Sequence, residues 1–285
     1  MKKSVLIPCL LLLILASCHQ KQTQKSPVEP INPPAPQETV ILDGVYHFNF
    51  NGFDLWTLQD LQRKMPASLF PSAKKADLAE CMPDGEADAA INAFLIRKNG
   101  KYILFDSGLG LEKGGATLDK LTLLELTPED ISAVCITHCH ADHIGGMVSQ
   151  GKPVFPNAEV YCADKELEAF KNDALTKEMV QVYGSHLHSF EAGEKLMGEI
   201  QSIDAPGHTP GHTFYQIGNL LIIGDLIHAA ALQIPHPEYC ANYDADKKLA
   251  AKTRMNAYQY IRDNQLVVAG MHLPFSGVIE HFDEK

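Results

Sequence analysis
Hydrophobic and polar positions divide this chain into three stretches of unlike pattern. Residues 5–15 form an apolar run behind Lys2 and Lys3, closed by Leu15-Ala16-Ser17-Cys18. Eleven such residues after a basic flank are too few for a spanning helix and suit the h-region of a secretory signal. Residues 19–37 carry five prolines and, apart from Val28 and Ile31, almost nothing able to enter a core. That composition predicts an extended tether.

The third stretch, residues 39–285, mixes the two periods of a folded α/β domain. Residues 45–58 alternate with period two around Asn51-Gly52, which predicts a hairpin. Residues 93–96 and 102–105 flank Asn99-Gly100 as a second hairpin, and its return strand ends in Asp106-Ser107-Gly108. Thr127-Pro128-Glu129-Asp130 reads as a helix start: a cap, Pro in the first position, acids in the first turn. A buried strand over 132–137 follows, then a strand over 159–162 and a helix capped by Asp164 that reaches Phe170. Residues 212–217 and 220–223 enclose Gly218-Asn219 as a third hairpin. Helical spacing over 245–262 and a short strand over 266–269 complete the pattern. Strand pairs at both ends with helices between them imply mixed sheets covered by helices.

Composition narrows the classes. The chain has 285 residues with 24 Lys+Arg against 35 Asp+Glu, a formal charge of −11. An acidic chain without a basic block is a poor partner for nucleic acid. Cysteines 81, 135, 139, 162 and 240 lie in the folded stretch; they contain no CxxC pair, and spacing alone selects no disulfide.

Thirteen histidines are many for this length, and their placement points to metal chemistry. Thr137-His138-Cys139-His140-Ala141-Asp142-His143 follows directly on the buried strand. Four nitrogen or oxygen donors within six residues suit first-row metal ions better than a packing role. His138 and His140, two apart, point the same way, and Asp142 and His143 face a second ion as the chain turns. Cys139 between them points away by strand alternation. Gly145-Gly146 lets the backbone pack closely behind. His208 sits in a glycine-rich turn, Pro206-Gly207-His208-Thr209-Pro210-Gly211-His212. Asp225 ends an apolar strand, where an unpaired charge is costly, so it needs a cation. His272 follows the last core strand. His228, three residues past Asp225, either lines the pocket, donates a proton to a leaving group, or is purely structural. His186 and His188 lie in a polar stretch and are expected to be exposed.

The HxHxDH motif followed by distant His, Asp and His resembles the metallo-β-lactamase superfamily over roughly residues 40–285. The resemblance implies an αββα sandwich of two mixed β-sheets flanked by helices. It implies two divalent metal ions, zinc by default: His138, His140 and His208 on one, Asp142, His143 and His272 on the other, Asp225 bridging. Asp106 would orient a ligand histidine by hydrogen bond, unless it only caps its turn, and His212 would support its turn rather than bind metal. The segments 224–233 and 272–277 are most similar to the branch containing methyl parathion hydrolase and the acyl-homoserine lactonases. That branch implies hydrolysis of an ester, lactone or phosphotriester by a metal-bridging hydroxide, with Asp142 orienting it. Thioester hydrolysis of the glyoxalase II kind, β-lactam hydrolysis and a non-catalytic metal-binding surface protein are the alternatives. Tyr239 and Tyr243 are candidates for the tyrosine that assists the lactonases, and residues 65–82 and 172–190 for pocket walls.

Leu15-Ala16-Ser17-Cys18 resembles a bacterial lipobox. It implies a signal over residues 1–17, lipidation of Cys18, a tether over 18–38 and a catalytic domain over 39–285. With no acidic run after Cys18, the expected location is the periplasmic face of the outer membrane.

Overall fold
The computed structural model describes residues 37–50 and 52–282, all within one compact unit spanning 34–285. Residues 1–17 and Cys18, with the signal and anchor assigned to them, lie outside the described residues. So does all but the end of the 18–38 tether. Among the described residues no helix is long and apolar enough to cross a membrane.

Eight strands build the first sheet in chain order: β1 (Gln37–Leu42), β2 (Val45–Phe50), β3 (Phe53–Pro66), β4 (Glu86–Lys98), β5 (Lys101–Phe105), β6 (Ile131–Cys135), β7 (Glu159–Ala163) and β8 (Leu187–Phe190). The first five pair antiparallel as hairpins, and β5 to β8 pair parallel. The second sheet holds β9 (Lys195–Leu196), β10 (Ile200–Asp204), β11 (Thr213–Ile217), β12 (Leu220–Ile222), β13 (Val267–Ala269) and β14 (Val278–Ile279). Only β12 and β13 pair parallel in it. Both sheets are therefore mixed, as expected.

Strand alternation sorts the apolar side chains into layers. Phe94, Phe105, Leu220, Ile222 and Val267 meet between the sheets. Their neighbours Leu95 and Leu104 face the helical side of the first sheet, with Leu121, Met179 and Tyr183. Leu221, Ile223 and Val268 face Tyr258 and Ile261 behind the second sheet. Each such side chain removed from water contributes roughly 1.5–3 kcal/mol, so a one-residue slip of a strand would expose a whole face. The result is the expected αββα sandwich.

Hairpins form at Asn99-Gly100 and Gly218-Asn219, and β2 pairs antiparallel with β3 on either side of Asn51, which lies outside the described residues; elsewhere strands and helices shift where long-range pairing overrides local pattern. The β4 strand starts at Glu86, well before residue 93, because β3 pairs with it along its full length across a bulge at Asp60. Buried Asp60 accepts from the Leu109 and Thr117 amides at 2.8 and 2.9 Å. Residues 127–130 make a single 3-10 turn closed by a Thr127–Asp130 capping box, not the start of a longer helix. Asp164 is the first residue of the helix Asp164–Ala169 and not its cap; Ala163 holds that position without a side-chain bond. The long C-terminal helix runs Lys247–Asn264, and the Asp246 side chain caps it by accepting from the Leu249 amide at 2.9 Å.

Candidate metal centre
Each donor sits where an element ends. His138 and His140 follow β6, and Asp142 and His143 lie in a four-residue helix, Ala141–Ile144. His208 lies in the turn between β10 and β11, Asp225 just after β12, and His272 just after β13. Strand ends on both sheets thus aim their side chains at one point.

Three imidazole nitrogens converge first. His138 Nε2 lies 3.0 Å from His140 Nδ1, and His208 Nε2 lies 3.2 and 3.0 Å from these two. Asp225 joins them, with Oδ2 3.3 Å from His208 Nε2 and 3.1 Å from His272 Nε2. Its other oxygen lies 3.1 Å from His143 Nε2. His272 Nε2 is also 3.5 Å from Asp142 Oδ2. The ligating atoms of His138, His140, His208 and Asp225 all lie within 4.8 Å of one another, and so do those of Asp142, His143 and His272.

The donor chemistry fits two cations. His143 Nε2 and Asp225 Oδ1 face each other, yet both are buried and neither has a hydrogen-bond partner. Two ligands of one ion stand in that relation, whereas a hydrogen-bonded pair would align. Two buried carboxylates, Asp106 and Asp225, also stand here beside the half-buried Asp142, and opposing positive charge must balance them. Burial opposes the charge of Asp225, but the rings of His143 and His272 outweigh it and hold the carboxyl well below its usual range. Burial and neighbouring rings push His138 well down, and burial with His208 pushes His140 to about 4. These two rings are neutral and free to ligate. Among the described residues no lysine or arginine pairs with Asp225 or Asp142; the only charges of the right sign facing them are imidazoles.

The partners on the far side of the rings fix which nitrogen faces the centre. His143 Nδ1 donates to Asp106 Oδ2 at 2.7 Å. His272 Nδ1 donates to the Ala90 carbonyl at 2.9 Å, and His208 Nδ1 to Asp244 Oδ1 at 3.0 Å. His138 Nδ1 lies 3.1 Å from the Thr137 hydroxyl, which itself donates to Asp106 at 2.7 Å. All four rings therefore point Nε2 inward. Asp106 thus lies against the outer nitrogen of His143. His212 Nδ1 donates to the Ala205 carbonyl at 3.1 Å, and its Nε2 accepts the Asp225 amide at 2.9 Å, so both ring nitrogens are engaged. Gly224 has φ +48° there, and a Cβ would stand 2.4 Å from that Nε2. Gly145 and Gly146 are close-packed too: a Cβ on either would come within 2.3 Å of a carbonyl oxygen, of Leu109 or Ser107.

His228 reaches the centre. Its ring is fully buried, stacks on His272, and places Nε2 3.4 Å from Asp225 Oδ2. Neither ring nitrogen has a hydrogen-bond partner. Gln233 Oε1 holds the backbone in place, accepting the His228 amide at 2.7 Å. Tyr239 does not serve the centre: its hydroxyl donates to Asp77 and accepts the Lys74 amide. Tyr243, 45% exposed, has its ring 5.7 Å from that of His228. Of the expected walls, Met65, Phe70 and Met82 pack on Ala229 and Leu232 beside His228. Within residues 172–190, Met179 and Tyr183 are buried in the outer core of the first sheet, and Leu175 and Glu178 line a cavity of about 350 Å³ beside Gly110 and Gly145. Cys139 points away from the donors, as alternation requires.

Three buried residues escaped the sequence reading. Asp244 holds His208, and Arg254 stands 3.5 Å from the other Asp244 oxygen while donating to the carbonyls of Leu226, Pro237 and Tyr239. Glu166 ties two ligand loops together: it accepts from the Cys139 amide at 2.9 Å and from Thr209 and the Gly211 amide at 2.7 and 2.9 Å. No local signal marks Asp244, since Asp246 and not Asp244 caps the last helix. Glu166 and Arg254 read as ordinary helix-surface charges.

Residues 88–258 match the family model described as the metallo-beta-lactamase superfamily. The chain belongs to that superfamily. Within it, the chain is 29% identical over 137 residues to a hydroxyacylglutathione hydrolase of Aeromonas salmonicida, covering 47% of this chain and 45% of that protein. It is 32% identical over 110 residues to the exodeoxyribonuclease WalJ of Streptococcus pneumoniae, 38% of each chain. The match spans less than half the length of either relative. Among solved structures, the hydrolase AbOPH superposes with a TM-score of 0.76 at 26% identity, covering 83% of this chain and 92% of that one. AidC, described as a dizinc quorum-quenching lactonase, superposes with a TM-score of 0.75 at 27% identity, covering 84% and 94%.

Proposed function
We propose that this chain is a dinuclear metal-dependent hydrolase of a small ester, lactone or phosphotriester, with zinc as its ion. The observation that carries this reading is the pair of adjacent donor sets with Asp225 between them. When bound, two divalent cations supply a water activated at neutral pH and polarise the oxygen of the bond to be cleaved. His138, His140 and His208 would hold one cation, Asp142, His143 and His272 the other, and Asp225 both. Asp106, Asp244, Thr137 and the Ala90 carbonyl keep the imidazoles in the ligating tautomer. Asp142, the one carboxylate of the centre that is partly exposed, orients the attacking water. His228 stands beside the bridging carboxylate and offers one N–H to a leaving group.

The AidC lactonase likeness supports a lactone, the AbOPH likeness supports hydrolysis, and the hydroxyacylglutathione hydrolase likeness supports a thioester as the second reading. The deciding experiment measures metal content, then turnover on chromogenic esters, lactones, phosphotriesters, thioesters and a β-lactam. About two ions per chain and turnover of an oxygen ester, lactone or phosphotriester are expected. Turnover confined to thioesters or the β-lactam would overturn the substrate class, and two ions with no turnover would leave a binding protein. We further propose that Cys18 is lipidated and anchors the chain at the periplasmic face of the outer membrane, on the strength of the lipobox-like segment. Cys18→Ala should move the protein to the soluble fraction without changing its turnover.

A further inference from the structure
Two cysteines meet beside the metal centre and take no part in it. Cys139 stands between His138 and His140 and Cys162 lies in β7; their sulfurs are 3.9 Å apart. Both side chains are buried and belong to the apolar layer on the helical side of the first sheet. Among the described residues the pairing has no competitor nearby. Cys135 faces the opposite layer, between the sheets. The Cys240 sulfur lies 3.0 Å from the Lys247 carbonyl, and Cys81 sits in the outlying helix Lys75–Cys81.

We propose that Cys139 and Cys162 form an intrachain disulfide when the chain folds in the presence of a small disulfide oxidant. A disulfide has an S–S length of about 2.05 Å, so closure asks each sulfur to move roughly 1 Å. One cysteine thiolate attacks the oxidant, for example glutathione disulfide, and releases one glutathione thiol. The other then displaces the second glutathione from the mixed disulfide. The two cysteines lose two protons and two electrons, and the oxidant leaves as two thiols. The step belongs to folding, because the finished core covers both sulfurs and the contact with Cys139, together with burial, raises the Cys162 thiol.

The bond would act where the ligand loop is already tied. The Cys139 amide donates to Glu166, four residues beyond Cys162, so the disulfide adds a covalent link between the same loop and the same strand-to-helix junction. It therefore stiffens the segment carrying His138 and His140 without altering a ligand.

The test unfolds the full chain and refolds it with zinc, with or without a glutathione redox couple. Free thiols are blocked, the chain is cut after Glu159, and the fragments are sequenced by mass. Glu159 lies between the two cysteines, so their fragments stay joined only through a disulfide. After oxidative folding the joined fragments are expected, about two mass units lighter than their thiol forms, with Cys81, Cys135 and Cys240 blocked. The oxidised form should melt on the order of 5 °C higher and release zinc to a chelator more slowly. Cys162→Ala should abolish the link. Both thiols blocked after oxidative folding, or Cys139 joined to Cys135, overturns the proposal. The wild-type map decides even if the variant does not fold. No readout involves turnover, so failure here is separate from failure of the hydrolase reading.

Discussion

Glu159 and Asp225 each face histidines, one at the surface and one in the interior, and the two clusters share little beyond composition. At the surface, Glu159 on β7 faces His186 at 3.1 Å and also bonds His188. These three side chains are 42%, 53% and 44% exposed. At the metal centre, Asp225 faces His138, His143, His208, His228 and His272, and every side chain is at most 3% exposed. Water satisfies the first cluster, and such pairs contribute little. In the second, water is excluded, so charge must be balanced by what the fold itself supplies or binds. The contrast teaches that burial with unsatisfied donors, rather than the residue types, marks the site. The pair His143 Nε2 and Asp225 Oδ1, unbonded at 3.1 Å, has no counterpart at the surface.

The strongest test of this contrast removes the carboxylate from each cluster. Asp225→Ala should lose most of both ions and the hydrolysis with them, measured by metal analysis of the purified variant. Full occupancy would sink the bridging assignment. Asp106→Asn and Asp244→Asn come next, since each leaves the ligands in place and disturbs one imidazole. Outer partners of metal ligands are worth about 10–100-fold in metal affinity. Asp106 makes three hydrogen bonds, to the Thr137 amide, the Thr137 hydroxyl and His143, so its variant should fall toward the upper end. Asp244→Asn should fall toward the lower end and weaken the ion held by His208, read as a separate step in chelator competition. Equal losses of both ions in both variants would show that the halves of the centre are not held independently.

His228→Leu probes a buried histidine outside the seven ligands. Substrates with poor leaving groups should slow by about 10²–10⁴-fold, while activated ones change little and metal content stays the same. Equal slowing of both would refute the proton-donor role. The smallest effect belongs to the surface. His188 and His186 hold the Glu159 carboxyl below its ordinary value by hydrogen bonding. A lowered carboxylate stabilises the fold above its unfolded value of 4.5 and ceases to do so as pH falls through the folded one. Glu159→Gln should therefore shift melting by about 2 °C or less near neutral pH, not at all in acid, and leave metal content unchanged. Loss of metal in this variant would erase the distinction between the clusters.

Features that depend on near neighbours were legible in the amino-acid order. Asn99, Gly100 and Gly218 let their hairpins close because they accept left-handed backbone at the turn. Period-two alternation placed Leu221 and Val268 on one face and Ile222 and Ala269 on the other. The HxHxDH run was legible because its four donors lie within six residues, and its spacing carried the distant His208, Asp225 and His272 by resemblance. Tertiary structure alone decided the rest. Asp244 meets His208 across 36 residues, and Glu166 meets Cys139 across 27 and Gly211 across 45. Arg254 looks like one more charge on a helix until the fold buries it against Leu226 and Tyr239. Local pattern fixes which way a side chain leaves its own strand or helix. What it then meets depends on how the two sheets close over one another, and only there do lost water and orphaned donors turn ordinary polar residues into a candidate metal centre.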